Sequence, residues 1–449
     1  MRIALFVHCF FPAHYFGTEA YTLSLARELV ALGHEVTVVS ATFQGEPRQK
    51  RLVDSYAWEG IDVLSIDKNA VPHRDIAETY DQPIMRWVHE RILRRLRPDA
   101  IHVCHLINHT AALLDAARAL EIPVFATLTD FFGFCLTNKL ETDRGALCGG
   151  PSPSRANCIA CHLKAAGGQP GAGGMSRFLA GAGVRPLAAR ALALAGSIRP
   201  GFRAGSLRPA DIIARPDVLR AALGLYREAI APSTFLRDAY AANGFPAPLR
   251  LSHFGIDIDR RAKPPPADRT ALRLGYIGQL APHKGVDILL DALARAAAPS
   301  LSLRIWGDEA QDPAHARRLR ALAAGQAVAF EGTFAPDRLA DLMADIDLLV
   351  IPSTWYENSP LILLQALATH TPVVVSDVAG LTEFIDEGRT GYAVKRGDAA
   401  ALAGLLGRLA AAPDGVHAMS RATHYARRVR DMAADVVAMY GSHLSGRTP

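Results

Sequence analysis

Few topologies can accommodate Pro352–Asp377 together with the run that precedes it. Asp347–Ile351 (DLLVI) is a short apolar run with a turn signal behind it, which predicts a buried parallel strand. A polar loop, Ser353–Asn358, follows. Ser359-Pro360 then supplies an N-cap with a proline at the first helical position. Leu361–Thr369 continues as a short helix, Thr371-Pro372 stops it, and Val373–Val375 is the next buried strand. A strand, a crossover helix and a second strand demand a parallel sheet with a right-handed connection.

This layout has a chemical consequence. The loop and the helix start lie at the carboxyl end of a parallel strand, where open α/β sheets bind ligands. The backbone N–H groups of Asn358, Ser359 and Leu361 would point into that crevice and suit an anion such as a diphosphate. Glu357 in the same mouth could accept hydrogen bonds from sugar hydroxyls, and Gln365, two turns on, could reach a second polyol. Spacing alone leaves a generic βαβ unit with a loop glutamate equally open.

The same alternation recurs along 449 residues, enough for two or three domains with full cores. Ile3–His8 reads as a first strand, Cys9–Thr18 as a loop, Glu19–Leu32 as an amphipathic helix capped by Gly33, and Glu35–Ser40 as a second strand. Ile61–Ile66, Ala100–Cys104, Val124–Leu128, Glu228–Pro232 and Leu249–His253 add strands. Gln82–Arg97 is a helix crowded by Arg86, Arg91, Arg94, Arg95 and Arg97, a solvated face or a membrane-surface patch. Lys263–Asp268 (KPPPAD) is a stiff linker. A second alternation starts at Leu272–Ile277 and runs through Leu301–Trp306, Ala327–Glu331 and Gly391–Val394, with a last helix over about Val416–His443.

Cys135, Cys148, Cys158 and Cys161 gather four of the six cysteines at C-x12-C-x9-C-x2-C spacing in a Gly- and Pro-containing segment. Such a set suits a structural zinc, with an iron–sulfur cluster as the second choice, and a metal would supply folding energy that the segment lacks. Unrelated reduced thiols or a labile disulfide pair are the other readings. Cys9 and Cys104 read as core residues. Ala165–Arg220 is rich in Gly, Ala, Pro and Arg; within it Gly167–Gly174 reads as flexible and Arg177–Leu194 as a helix. A net charge of +5 allows contact with phosphates or an anionic membrane without demanding it, and nothing asks for a nucleic acid. No apolar run approaches a membrane span, and Met1–His8 does not have the form of a signal peptide, so a cytoplasmic protein with reduced cysteines is expected.

The stretch around Glu357 resembles the donor-site signature of the retaining glycosyltransferases of family 4, the group 1 transferases. That signature is a Glu, seven residues, a second Glu, a small-residue helix end and a Pro-Val-Val strand. Glu357 fills the first place and Gln365 stands in the second. The resemblance implies that Glu357 contacts the donor sugar and that Gln365 meets the nucleotide ribose without the charge of a carboxylate. His370 replaces the usual Gly after the helix. The turn Gly278–Gly285 (GQLAPHKG) resembles a Gly-Arg-Leu…Lys-Gly turn whose cations clamp the donor diphosphate; Lys284 is kept and Gln279 replaces Arg. Gly17-Thr18 stands where the family has Gly-Gly, a pair that lets backbone approach the donor phosphates or the acceptor. Thr129-Asp130 stands for His-Asp; Asp130 would bond acceptor or donor, and a catalytic histidine would come from elsewhere, with His102, His105 and His109 placed for it or for structural roles. Phe254–Asp257 is similar to an Asn-Gly-Val-Asp turn, and some bacterial members carry a cysteine-rich insertion where this chain does.

The resemblance implies a GT-B fold, α/β, with two doubly wound Rossmann-like domains facing a cleft. Residues 1–262 would form the acceptor domain, with the cysteine-rich insertion at about 131–165. Residues 263–415 would form the donor domain, and 416–449 a helix packing back on the first. The implied activity is retaining transfer of a sugar from a nucleotide-diphosphate donor to a hydroxyl of a glycan or lipid-linked acceptor, in surface polysaccharide or glycolipid synthesis. No catalytic metal is implied. A lipid-linked acceptor would place the enzyme at the inner face of the membrane, in peripheral contact with it. The competing classes are a non-catalytic nucleotide-sugar sensor or partner subunit, and another GT-B enzyme such as a sugar-nucleotide epimerase.

Overall fold

Short apolar runs alternate with longer amphipathic ones, so the chain winds strand, helix, strand almost throughout. A computed structural model of the protein describes residues 1–169, 171–263 and 270–444. It divides into two units: Met1–His253 with the segment from Val429 onward, and Phe254–Arg428.

The first unit carries β1 (Arg2–Phe6), β2 (Glu35–Ala41), β3 (Val53–Trp58), β4 (Ile61–Ile66), β5 (Ala100–Val103), β6 (Val124–Thr127), β7 (Tyr226–Ala231) and β8 (Leu249–Leu251). Its helices are α1 (Gly17–Ala31), α2 (Pro83–Leu96), α3 (Ala112–Ala119), α4 (Ala156–Gly167), α5 (Gly174–Ala180), α6 (Arg185–Ile198), α7 (Pro209–Leu223) and α8 (Thr234–Ala242). The strands form one sheet in the order β3-β4-β2-β1-β5-β6-β7-β8. All pairings are parallel except β3 with β4. The winding direction reverses between β1 and β5, because β2 lies on one side of β1 and β5 on the other.

The second unit holds β9 (Leu272–Ile277), β10 (Leu301–Trp306), β11 (Val328–Gly332), β12 (Leu348–Ile351), β13 (Val373–Ser376) and β14 (Gly391–Val394). They form an all-parallel sheet ordered β11-β10-β9-β12-β13-β14. Its helices are α9 (Val286–Ala296), α10 (Pro313–Leu322), α11 (Leu339–Ala344), α12 (Leu361–Ala368), α13 (Ala399–Ala411) and α14 (Pro413–Ala422). The reversal here falls between β9 and β12. Leu274, Leu289, Leu303, Val350 and Leu406 belong to one buried cluster of this unit, as the near-continuous apolar strands require. The last described element is α15 (Val429–Leu444), whose Tyr440 hydroxyl lies 2.9 Å from His102 Nδ1 inside the first unit.

Several sequence expectations change. The divide falls after His253, not at 262/263, because residues 254–263 bond within the second unit. The Tyr425 hydroxyl donates to the Phe254 carbonyl (2.6 Å), and Lys263 Nζ donates to Thr371 Oγ1 (3.1 Å). Residues 264–268 of the proposed linker lie outside the described residues. The single helix expected over 416–443 is two, α14 and α15, and the return to the first unit starts at Val429 rather than 416. Arg177–Leu194 is likewise two helices, broken at Gly181–Gly183. The edge strand β3 escaped the sequence because it is half-exposed and has no continuous apolar run.

Candidate active site

Loops that follow β9 and β12 flank the reversal point of the second sheet, so two segments distant in sequence are brought side by side. Lys284 ends the turn after β9, and Glu357 lies in the loop after β12. Lys284 Nζ is 2.7 Å from Glu357 Oε1. Ser353 Oγ (2.6 Å) and Trp355 Nε1 (2.9 Å) donate to the same oxygen. The Lys284 ammonium also stands 4.9 Å from the centre of the Trp355 ring. Burial pushes the Glu357 carboxyl up, but the Lys284 charge and the hydrogen bonds from Lys284, Ser353 and Trp355 outweigh it and hold the group below its ordinary value. Glu357 is therefore ionised at neutral pH, and no described residue donates to its Oε2.

Two glycines make this arrangement compulsory. Gly285, at φ +71°, lies so close to the loop that a Cβ there would stand 2.1 Å from the Pro352 carbonyl oxygen. Gly380, at φ +86°, would place a Cβ 1.7 Å from the carbonyl oxygen of Glu357. The Thr354 N–H donates to the His283 carbonyl (2.9 Å), tying the two loops through their backbones. The loop is thus held from both sides by main-chain contacts that exclude any side chain.

The other expected donor-site residues fall around this pair with small changes. Helix α12 begins at Leu361 with Pro360, not Ser359, as its N-cap residue. Ser359 instead takes a left-handed conformation (φ +62°), and its buried Oγ has no hydrogen-bond partner among the described residues. Asn358 is half-buried beside it. Leu361 supplies a first-turn amide that no helical carbonyl can satisfy. Gln365 is half-buried on α12, joined to the Lys284–Glu357 pair by no hydrogen bond among the described residues. Gln279 stands in the turn after β9, where its carbonyl accepts from the Tyr276 hydroxyl (2.6 Å). His370 takes φ +58°, the left-handed position a glycine would otherwise occupy.

The first sheet builds a second polar site at its own reversal point, after β1 and β5. His105 Nε2 lies 2.8 Å from Asp130 Oδ2. The His8 and His105 rings are 4.4 Å apart, and His8 Nε2 is 3.2 Å from Glu19 Oε1. Cys9 Sγ donates to that same Glu19 oxygen at 3.0 Å. Burial, then the positive fields of His105, His109 and His14, pull the His8 pKa well below the usual imidazole value. Among the three histidines marked by position, only His105 reaches Asp130. His102 is fixed between Thr127 and Tyr440, and His109 Nε2 is 2.8 Å from the Val7 carbonyl, so both are core residues. Gly17 and Thr18 open α1, and nothing lies within 4 Å of where a Gly17 Cβ would stand. Glu19 and His8 were missed as site residues. The available signal was an acidic residue just after the Gly17-Thr18 turn, where first-turn amides favour negative charge.

The four cysteines converge on one pocket with Leu136, Leu140 and Asn157. Cys158 and Cys161 lie on α4 instead of in a loop. Burial, then the neighbouring Cys135, pushes each of these two thiols up to about 12. Cys148 Sγ lies 3.4 Å from the Gly150 nitrogen, and Cys161 Sγ donates to the Glu141 carbonyl at 3.5 Å. Among the described residues, only His8, Cys9 and Glu19 bring three ligand-type atoms within 4.8 Å of one another, so no three of the four sulfurs lie that close together.

Against known proteins, the group 1 glycosyl transferase profile matches residues 271–412, and the Glycosyltransferase Family 4 profile matches residues 16–136. The first match contains Lys284, Glu357 and Gln365; the second contains Glu19, His105 and Asp130. The chain belongs to the group 1 glycosyltransferases of family 4. A similar curated protein is the D-inositol 3-phosphate glycosyltransferase of Acidothermus cellulolyticus, 31% identical over 218 residues, with 44% of this chain and 48% of that one covered. The matches to such curated relatives span about half of their length. Among solved structures with the same fold, sucrose-phosphate synthase from Thermosynechococcus elongatus superposes with a TM-score of 0.63 at 19% identity, covering 99% and 100% of the two chains. Anabaena HepE in complex with UDP-glucose gives 0.61 at 15% identity, with 100% of each chain covered. Both units are thus the Rossmann-like α/β domains of GT-B glycosyltransferases.

Proposed function

We propose that the protein transfers a sugar from a nucleotide-diphosphate donor to an acceptor hydroxyl, with retention at the anomeric carbon. The observation that carries this reading is the Lys284–Glu357 contact at the carboxyl end of β9 and β12. Lys284 has three N–H donors and spends one on Glu357, leaving two for a diphosphate beside the first-turn amides of α12. Negative charge grows on the leaving diphosphate as the glycosidic bond breaks, so this cation acts where the transition state needs it. Glu357, with Oε1 saturated and Oε2 open, would accept hydrogen bonds from sugar hydroxyls. Asn358, Ser359 and Gln365 would complete the nucleotide-sugar contacts, and Gln279 would supply a neutral donor to phosphate. In the first unit His105 has both ring nitrogens engaged, Nε2 with Asp130 (2.8 Å) and Nδ1 accepting from the Ile107 N–H (3.0 Å), so it would orient Asp130 to accept a hydrogen bond from an acceptor hydroxyl.

The named relatives make an inositol phosphate the first acceptor to try, with glycan and polyprenyl-linked acceptors for surface polysaccharide or glycolipid synthesis next. The test is turnover: UDP-, GDP- and ADP-sugars against this panel, with nucleoside diphosphate release measured and product configuration read by NMR. Donor binding without release on any acceptor would favour a sensor or partner subunit, the reading that Gln365 and Gln279 support. Release of an altered donor without acceptor would favour an epimerase.

We also propose that Cys135, Cys148, Cys158 and Cys161 hold a structural zinc. Support comes from four reduced thiols on one pocket, seated on the buried Ile159–Leu163 face of α4. A tetrahedral zinc would draw the sulfurs to about 3.8 Å from one another and deprotonate them. Elemental analysis of untagged protein should find one zinc per chain; finding neither zinc nor iron rejects the site.

A further inference from the structure

Helix α6 has two apolar faces. Ala189, Ala193 and Gly196 turn inward, and the alanines join Ile159 and Leu163 of α4 in a buried cluster. Leu187, Ala191, Leu194 and Ile198 recur on the opposite face at helical spacing, and that face is open. With Met175 and Phe178 of α5, the large side chains Leu187, Leu194 and Ile198 each leave between 61% and 71% of their surface exposed. Five such residues within 24 positions are not the scattered apolar surface of an ordinary protein.

The charge around them has one sign. Between Asp143 and Asp211 the chain carries nine Lys and Arg and no Asp or Glu. Arg177, Arg190 and Arg199 are exposed and form no ion pair among the described residues. On α2 Arg86 and Arg94 share one acid, Glu90, whereas α5 and α6 carry no acid at all. The α5–α6 corner is also fixed in place. The buried Arg185 guanidinium donates to Asp143 (2.6 Å) and to the Ala180 carbonyl (2.6 Å).

We propose that α5 and α6 dock the protein onto an anionic lipid bilayer. Apolar side chains enter the acyl boundary while the flanking arginines meet phosphate headgroups, as in amphipathic helices that lie in the membrane interface. The segment lies on the membrane without spanning it. α6 has 14 residues, roughly 21 Å of helix against a hydrocarbon core of about 30 Å. The two helices meet at a bend of 103°, and among the described residues no single helix is long and apolar enough to cross. This inference stands apart from sugar transfer and is tested with no nucleotide present.

The experiment is co-sedimentation of the full chain with vesicles of phosphatidylcholine containing 30% phosphatidylglycerol, and with pure phosphatidylcholine. Binding to the anionic vesicles, weakened by salt, is expected. Leu194→Asp with Ile198→Asp should abolish it while leaving the thermal midpoint unchanged, because both side chains are exposed. Arg190→Glu and Arg199→Glu should each weaken it roughly fivefold. Leu194→Trp should show a blue-shifted emission only with anionic vesicles. No binding, wild-type binding by the Asp variants, or a concentration-dependent dimer that those variants disperse would overturn the proposal, the last in favour of a second copy of the chain.

Discussion

The two sheets solve the same positional problem with opposite chemistry. Each reverses its winding once, between β1 and β5 or between β9 and β12, and each sets two loops side by side at that point. In the second unit the loops supply an ammonium and a carboxylate, 73 residues apart in sequence and 2.7 Å apart in space. The carboxylate is buried, hydrogen-bonded and held ionised. In the first unit the loops supply imidazoles against carboxylates, His8 with Glu19 and His105 with Asp130. Burial disfavours the charged form of His8, so neutral hydrogen bonding prevails there. The backbone decides where a ligand can sit; the side chains decide whether the site offers fixed charge or neutral hydrogen bonds.

The largest test of that contrast removes the fixed charge. Lys284→Met should lower turnover by about 10² to 10³, the scale of a lost transition-state donor. It should also cost about 3 kcal/mol of stability by leaving Glu357 buried and unpaired. Adding Glu357→Gln should restore most of the stability and none of the activity. Denaturant melts beside kinetics read both, and recovery of turnover in the double variant would break the assignment of Lys284 to the leaving group.

A smaller effect separates the units by pH. His89, His102 and His109 are buried in the first unit; burial pulls His102 to about 3, His109 to about 4, and His89 well below its usual value. The unfolded chain therefore binds more protons than the folded one below the ordinary imidazole value. Their stabilisation is complete above about pH 6.5 and is lost as pH falls toward the folded values. By pH 5.5 each withdraws on the order of 1 kcal/mol. Glu357 behaves otherwise: its contribution persists above about pH 4.3 and fades only as pH falls through its lowered folded value. Hydrogen exchange at pH 7.5 and 5.5, corrected for intrinsic rates, should show β1 and β5 losing protection while β9 and β12 keep theirs. Equal loss in both sheets would erase the distinction.

The smallest effect sharpens the second site alone. Gln365→Glu should tighten nucleotide binding by about fivefold, since a carboxylate makes hydrogen bonds about twice as strong as an amide does. Calorimetric titration with nucleoside diphosphates measures it, and weaker binding by the variant would place Gln365 away from the ribose.

Much of the second unit was legible because its signals are local. Four consecutive apolar residues mark β12, a proline marks the start of α12, and a lysine before Gly285 marks the turn after β9. The 131–220 segment was less legible. Its Cys-x-x-Cys pair reads as a loop feature yet lies on α4, and α7 carries Pro216 inside a helix. There tertiary burial overrides weak local propensity.

By itself the sequence determined the alternation of strand and helix, the family signature, and Lys284 and Glu357 as residues worth pairing. Each of these is written in neighbours a few positions apart. Only the tertiary structure decided that β9 lies against β12 and β1 against β5, that His105 rather than His102 or His109 meets Asp130, and that α6 leaves its second apolar face open. Strand order and burial depend on which distant segments pack together, and no local periodicity encodes that.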